Sequence, residues 1–179
     1  MAGHSRWAQI KHQKLITDRK RGQLFSKLLD AIVAAAKNEP DPKFNPRLRT
    51  AVDKARENNV PQENIERAIR RAHESAKGLE EIMLGAYGPG GAAILIEAIT
   101  ENKNRTIAEV KNILNENGGK WAEAGSVAWV FEKKQGSEER QPKFVQQVDT
   151  DARGKLEKLV SLLKDQDDVQ GIYTNASVE

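Results

Sequence analysis

The chain has 179 residues, no cysteine and a formal net charge of +3, from 29 lysines and arginines against 26 aspartates and glutamates. The absence of cysteine excludes a disulfide framework and a thiolate metal site, and this length allows one or two domains with apolar cores. No apolar run comes near the ~20 residues of a membrane-spanning helix. The N-terminus lacks the apolar core of a signal peptide, so we expect a cytoplasmic protein.

The charge is distributed unevenly along the chain. Residues 1–77 carry 17 basic and 9 acidic side chains, a net of +8, whereas residues 78–179 carry 12 and 17, a net of −5. Such asymmetry is typical of a polyanion-binding region joined to an acidic module. The alternative is that the basic side chains only keep a helical surface soluble. We predict a domain boundary at Lys77-Gly78, with a basic helical domain before it and a second domain after it.

The most basic segment is formed by the first 27 residues, in which Asp18 is the single acid. Lysines and arginines displace counterions from phosphates, and an indole ring can stack on a base, so this segment predicts nucleic-acid binding. Trp7 has an alternative structural interpretation, because a tryptophan beside a small bundle often completes its core. The predicted contacts here are Arg6, Trp7, Lys11, Lys14, Lys20, Arg21 and Lys27.

Three amphipathic helices are predicted in the N-terminal domain. Apolar residues recur at helical spacing over 18–37, and this first helix ends at the prolines of residues 38–42. Asn45 and Pro46 begin the second helix as its N-cap and first residue, and Pro61 opens the third. Three such helices with short connections form a small bundle.

The third helix offers a second candidate surface for nucleic acid. Ile65 and Ile69 belong to its apolar stripe, and three arginines occupy the opposite face at spacings of three and four residues. A charged outer face is more often simply solvated, and both interpretations stay open. The arginines are Arg67, Arg70 and Arg71.

The pattern after residue 78 predicts an α+β domain. The Gly-Pro-Gly-Gly segment after Tyr87 favours a hairpin turn, because it lacks the Gly-Lys-Ser/Thr ending of a phosphate loop. The order ββαββαβ predicts a largely antiparallel sheet with helices on one face. The predicted elements are strands at 82–87 and 92–100, a helix at 105–116, a strand at 126–132, a polar link at 133–142, a strand at 143–148, a helix at 151–165 and a strand at 169–174.

Polar residues precede the predicted helix at 105–116 and allow two interpretations. Asn102 or Asn104 is expected to cap the helix by accepting hydrogen bonds from its free amides. The functional alternative is an anion site at the helix N-terminus, formed by Lys103, Asn104 and Arg105.

Neither a catalytic nor a metal-binding pattern is evident. His4, Ser5 and Asp18 supply the residue types of a hydrolytic triad, but they lie on a basic segment without a nucleophile elbow or an oxyanion loop. The three histidines have no ligand-like spacing and no cysteine partner. We therefore predict a protein that is not an enzyme and that uses no cofactor and no metal.

Several motifs, in order along the chain, resemble the YebC family. The resemblance spans most of residues 2–132 and 144–176. It is carried by Gly-His-Ser-Arg-Trp at 3–7, Asp-Arg-Lys-Arg-Gly at 18–22, Asn-Pro-Arg-Leu-Arg at 45–49, Tyr-Gly-Pro-Gly-Gly at 87–91 and Gly-Ser-Val-Ala-Trp-Val-Phe at 125–131.

The resemblance implies a regulator of gene expression that faces nucleic acid and catalyses no reaction. The family includes probable transcriptional regulators, the mitochondrial translational activator of cytochrome c oxidase subunit I, and bacterial members linked to ribosomes and to synthesis of proline-rich stretches. Its members usually carry a third domain inserted into the second. Here the polar link at 133–142 stands in that place, so functions of the insert are not implied.

Two binding functions follow from these expectations. One is a translation factor that contacts ribosomal RNA, and the other is a transcriptional regulator that reads duplex DNA. The basic N-terminal segment, with its tryptophan and glycine, fits irregular RNA better, and the third helix has few amide side chains for reading adenine. We favour the ribosome as partner, and expect a monomer with no membrane partner and no small-molecule substrate.

Overall fold

The computed structural model describes the backbone of residues 2–74 and 78–177 and the side chains of residues 17–74 and 78–177. The chain divides into two compact units, Met1–Ala76 and Lys77–Glu179. The described part of the first unit is helical, and the second combines an antiparallel sheet with helices. The predicted α+β class is confirmed.

The first unit contains the helices α1 (Ala2–Ala36), α2 (Pro46–Glu57) and α3 (Gln62–Glu74). The prediction that the first helix begins at residue 18 is wrong, because α1 already begins at Ala2. No proline interrupts the sequence from Ala2 to Ala36, so helical hydrogen bonding can continue through the whole basic segment. That segment is therefore part of a long helix.

The core of the first unit is formed where α1 packs against α2 and α3. Asn45 fixes the connection into α2: its Oδ1 accepts a hydrogen bond from the Leu48 amide at 3.0 Å, and its Nδ2 donates to the Ala35 carbonyl at 2.8 Å. The predicted N-cap and first-position proline of α2 are confirmed. The buried apolar side chains of this core include Leu28, Ile32, Leu48, Val52 and Ile65.

The second unit contains an antiparallel sheet, several shorter strands and three α-helices in its described part. Its elements are β1 (Glu80–Tyr87), β2 (Ala93–Thr100), α4 (Lys103–Glu116), β3 (Lys120–Ala122), α5 (Ala124–Ala128), β4 (Phe131–Lys133), β5 (Arg140–Pro142), β6 (Gln146–Gln147), α6 (Thr150–Lys164), β7 (Val169–Thr174) and β8 (Ala176–Ser177). The sheet has four strands in the order β3-β1-β2-β7. A hairpin of β4 with β5 and a parallel pair of β6 with β8 complete the strands in the described part of the chain.

The two faces of the sheet have different covers. The long helices α4 and α6 pack on one face, as predicted, where Ile94 and Ile96 of β2 meet Val110 and Leu159. On the other face, Leu95 of β2 packs with apolar side chains of the segment from α5 to β4. Side chains on both faces of β2 are therefore buried, one set in each core, which explains why the four residues from Ala93 to Ile96 are all apolar.

The predicted hairpin turn between β1 and β2 is confirmed. The two strands pair from Tyr87 with Ala93 to Glu80 with Thr100. Gly90 has φ +79°, a conformation that glycine adopts without steric cost. A side chain at Gly88 would place its Cβ 2.7 Å from Leu156 of α6, so the turn lies close against that helix.

The prediction of a strand at 126–132 is wrong over most of its length. The segment forms the short helix α5 and enters β4 only at Phe131. Its buried side chains, Val127, Val130 and Phe131, follow spacings of three and four residues, which is a helical pattern, and Trp129 is left 59% exposed. The β-branched and aromatic residue types favoured a strand. The segment is helical instead because a helical turn buries Val127, Val130 and Phe131 on one side.

The segment 133–142, predicted as a polar link, forms most of the β4–β5 hairpin. Lys133 pairs with Arg140 across the two strands. The Arg140 Nε donates to Glu97 of β2 at 2.7 Å, which ties the hairpin to the sheet. The predicted strand at 143–148 is reduced to the two residues of β6, and the short edge strand β3 was not predicted.

Candidate nucleic-acid interface

Exposed cations on α1 form the first part of the candidate interface. Lys20 and Arg21 are exposed, whereas Lys27 is half-buried. The Arg21 guanidinium lies 5.8 Å from the centre of the Phe25 ring, close enough for a cation–π contact. The predicted contacts Arg6, Trp7, Lys11 and Lys14 have side chains outside the described residues.

Exposed arginines on α3 form the second part. Ile65 and Ala68 are buried at 1% and 6% exposure, and Arg67, Arg70 and Arg71 are all exposed, so the predicted helix phase is confirmed. Arg67 pairs with Glu63 at 3.0 Å, but both side chains are mostly solvated, and such pairs contribute little to stability. This ion pair is therefore not needed to hold the fold, and the three arginines face solvent.

The start of α4, where an anion site is one of two predictions, shows the predicted capping arrangement. Asn102 is the N-cap, and its Oδ1 accepts a hydrogen bond from the Arg105 amide at 3.1 Å. The Arg105 guanidinium lies 3.1 Å from Asp168, and this hydrogen-bonded ion pair raises the pKa of Arg105. Lys103 and Asn104 are exposed. Anion binding by these residues stays a prediction.

Asp168 joins α4 to the start of β7 through a compact polar network. Its Oδ2 accepts from the Thr106 hydroxyl at 2.7 Å and from Gln166 Nε2 at 3.2 Å, and only 13% of its side chain is exposed. Burial raises the pKa of Asp168, but the hydrogen bonds from Thr106, Gln166 and Arg105 outweigh burial and lower it. The charged carboxylate is therefore favoured, and its hydrogen bonds hold α4 against the start of β7.

An exposed group of aromatic rings was not predicted from the sequence. Trp129 and Phe144 lie with ring centres 5.4 Å apart, and they are 59% and 46% exposed. The Ser126 carbonyl accepts from Trp129 Nε1 at 2.8 Å and from the Tyr87 hydroxyl at 3.4 Å. We call Tyr87, Trp129 and Phe144 the aromatic cluster. It was missed because Trp129 and Phe144 were predicted to lie on two separate strands.

Metal-binding groups and membrane-spanning helices are both absent from the residues that the structure describes. Over residues 17–74 and 78–177, histidine, aspartate and glutamate form no group of three or more that could hold a metal ion. Within the same part of the chain, every helix is too short or too polar to cross a membrane.

At the level of the fold, this is a two-unit α+β protein whose helical unit exposes basic side chains. Residues 5–75 match the family model described as the TACO1/YebC protein N-terminal domain, and residues 79–139 match the model of the TACO1/YebC second and third domain. The chain belongs to the TACO1/YebC family.

Similar proteins include curated relatives and a solved structure. A "Probable transcriptional regulatory protein" of Pseudothermotoga lettingae is 51% identical over 137 residues, which cover 75% of this chain and 54% of the relative. A protein of the same name from Natranaerobius thermophilus is 55% identical, over 75% of this chain and 55% of the relative. The chain thus spans about half the length of the curated relatives it matches.

The solved structure is a conserved hypothetical protein of Aquifex aeolicus. It is 29% identical, with a TM-score of 0.82, and the match covers 90% of this chain and 92% of that one. The likeness supports the α+β architecture described above.

Proposed function

We propose that the protein is a non-enzymatic, nucleic-acid-binding regulator of gene expression that acts through its basic helical unit. More specifically, we propose a translation factor that contacts ribosomal RNA and assists synthesis of difficult sequences, such as proline-rich ones. It would act in the cytoplasm as a monomer, without a cofactor or a metal. The observation that carries the proposal is the separation of charge between the two parts of the chain.

The charge separation supports binding to a polyanion. The segment 1–77 has a net charge of +8, and in its described part the cations on α1 and α3 are exposed apart from the half-buried Lys27. Phosphate contacts by such side chains release counterions and give binding that weakens as salt rises. The acidic segment 78–179 would contribute little to this attraction.

The residues on α3 favour RNA over readout of duplex DNA. A groove-reading helix needs side chains that form bidentate hydrogen bonds with base edges, often amides for adenine. On α3, the Gln62 amide is already bonded to Arg56 and Glu66. The exposed arginines suit phosphates and irregular RNA, where a rigid groove is not required.

A transcriptional regulator is the second candidate, favoured by the names of the curated relatives. In that case α3 would enter the major groove, and Arg67, Arg70 and Arg71 would contact guanines or phosphates. This function requires a large preference for one DNA sequence over others.

A binding comparison at fixed salt separates the two functions. The probes are purified ribosomes, a generic duplex DNA and a promoter fragment. We expect the protein to cosediment with ribosomes and to bind both duplexes weakly and alike. Tight, sequence-specific promoter binding without ribosome cosedimentation would reject the translation function in favour of transcription.

A further inference from the structure

The aromatic cluster is an exposed group of rings on the second unit, in which two rings are in contact and the third shares a hydrogen-bond acceptor with one of them. Trp129 contacts Phe144, the Ser126 carbonyl links Trp129 to Tyr87, and Val145 beside Phe144 is 53% exposed. Single exposed apolar residues are ordinary, but a continuous group of them marks an interaction surface. None of the functions proposed above uses this surface.

Hydrogen bonds orient two of the rings and position the backbone of the third. The Ser126 amide and hydroxyl both donate to the Glu123 carbonyl, at 2.9 and 2.7 Å, and these bonds stabilise the turn. The Ser126 carbonyl then accepts the hydrogen bonds that orient the Trp129 and Tyr87 rings. The Lys143 amide donates to the Val130 carbonyl at 2.8 Å and brings Phe144 beside Trp129. The Trp129 and Tyr87 rings are thus presented to solvent with less side-chain freedom to lose on binding than unbonded rings have.

Two lysines are neighbours of the ring residues, one across the sheet and one along the chain. Lys120 is the cross-strand partner of Tyr87, so both side chains lie on the same face of the sheet. Lys143 directly precedes Phe144, and both lysines are exposed. Among the described residues, neither ammonium group has a carboxylate partner.

The acids around the rings are few and partly engaged. The Glu132 carboxylate accepts a hydrogen bond from Gln141 at 3.0 Å, and Glu123 is exposed. At the hairpin end, Glu138 pairs with Lys133 at 2.7 Å. The Glu138 charge is thus paired with a lysine, and the charges of Glu123 and Glu132 are matched in number by those of Lys120 and Lys143.

We propose that the aromatic cluster, together with Lys120 and Lys143, is a stacking site for unpaired bases of an RNA strand. The proposal rests on the proposed function, because that function makes RNA the ligand. The exposed ring faces would stack on bases in a sequence-tolerant way, and the two ammonium groups would contact the flanking phosphates. A duplex buries its base faces, so this site discriminates unpaired RNA from duplex DNA.

Leucine variants of two rings test stacking directly. Trp129→Leu with Phe144→Leu keeps an apolar surface and removes the π faces. We expect the affinity for a fluorescent oligouridine of about 12 nucleotides to fall about tenfold or more, since each stacked base carries a substantial share of binding. The affinity for a duplex of equal length stays unchanged, and so does the salt dependence, because no charge is removed.

The matched control retains aromatic rings at both positions. Trp129→Phe with Phe144→Tyr is expected to keep the affinity within about threefold, since stacking needs a ring and not a particular one. Lys120→Glu should weaken oligouridine binding, while Lys158→Glu on α6 should not. Full affinity in the leucine variant would overturn the proposal, and it would point to a protein as the partner of the aromatic cluster.

A crosslinking experiment on the unaltered chain covers the case in which a variant fails to fold. An oligouridine that carries 4-thiouridine is irradiated with the protein, and the adducts are mapped by mass spectrometry. We expect adducts at Tyr87, Trp129 or Phe144. Adducts confined to the first unit would overturn the stacking site and leave the proposed function standing. If the unaltered chain neither forms adducts nor binds RNA at all, both the stacking site and the proposed function are rejected.

Discussion

Asp168 is held by three donors from two parts of the second unit. Thr106 and Arg105 lie on α4, and Gln166 lies just before β7. Each hydrogen bond favours the charged carboxylate, and together they lower its pKa against the opposing effect of burial. The charge of this one side chain therefore contributes to the docking of α4.

Replacing Asp168 by asparagine should destabilise the second unit. We expect Asp168→Asn to lower the free energy of unfolding by about 1–3 kcal/mol at neutral pH, because charge-assisted hydrogen bonds are removed from a partly buried site. Urea denaturation measures this difference. Asp151→Asn on α6 is the matched control, since Asp151 pairs with Lys155 where both side chains are mostly solvated.

The effect of Asp168 should depend on pH in a defined direction. A folded-state pKa below the unfolded value of about 3.9 gives a stabilisation that is present above that value and is lost as pH falls through the folded pKa. The difference in the free energy of unfolding between the native chain and Asp168→Asn should therefore shrink to zero in acid. If this difference stays constant from neutral to acidic pH, the charge of the Asp168 carboxylate is not the cause of the stabilisation.

Local residue roles were predictable, and distant partnerships were not. The caps at Asn45 and Asn102 depend on residues within three positions, so the sequence indicated them, the second as one of two alternatives. The bond from Thr106 to Asp168 joins residues far apart in the chain. Its geometry depends on how α4 and β7 pack, which periodicity does not reveal.

At the scale of elements, substitutions on α3 test whether its charged face has a role in folding. Arg67→Glu with Arg70→Glu should leave the thermal midpoint nearly unchanged, because both side chains are exposed and point away from the buried stripe. Ile65→Ala is the matched control and should cost about 2–5 kcal/mol, since Ile65 is 1% exposed. A large loss of stability in the arginine variant would refute the observed helix phase.

The elements that were predicted wrongly show where pattern reasoning fails. The strand at 126–132 was inferred from residue types, but Val127, Val130 and Phe131 bury one side of a helical turn. The start of α1 was placed late because the basic segment lacks an apolar stripe. Both errors arise because tertiary packing and helix continuation override local preference. The first error also concealed the aromatic cluster, which forms only when residues 126–132 adopt α5 and the start of β4.

At the scale of the whole molecule, the exposed basic side chains and the aromatic cluster lie on different units. The helical unit carries the cations that we propose bind a polyanion, and the sheet of the second unit carries the aromatic cluster that we propose stacks on bases. The charge division was readable from composition alone, because it needs no geometry. The four-stranded order of the sheet was not, since β3 is too short to give a periodic signal.

The most direct test of the central claim is the salt dependence of ribosome binding by a charge-reversal variant. Lys11, Lys14, Lys20 and Arg21 are changed together to glutamate, and Lys155→Glu with Lys158→Glu on α6 serves as the control. We predict that the variant binds more weakly and that the slope of log affinity against log salt becomes shallower by about 0.7–0.9 for each phosphate that the variant no longer neutralises. The control should behave as the native chain does. Unchanged affinity and slope in the variant would contradict the claim that the basic helical unit binds nucleic acid through these side chains.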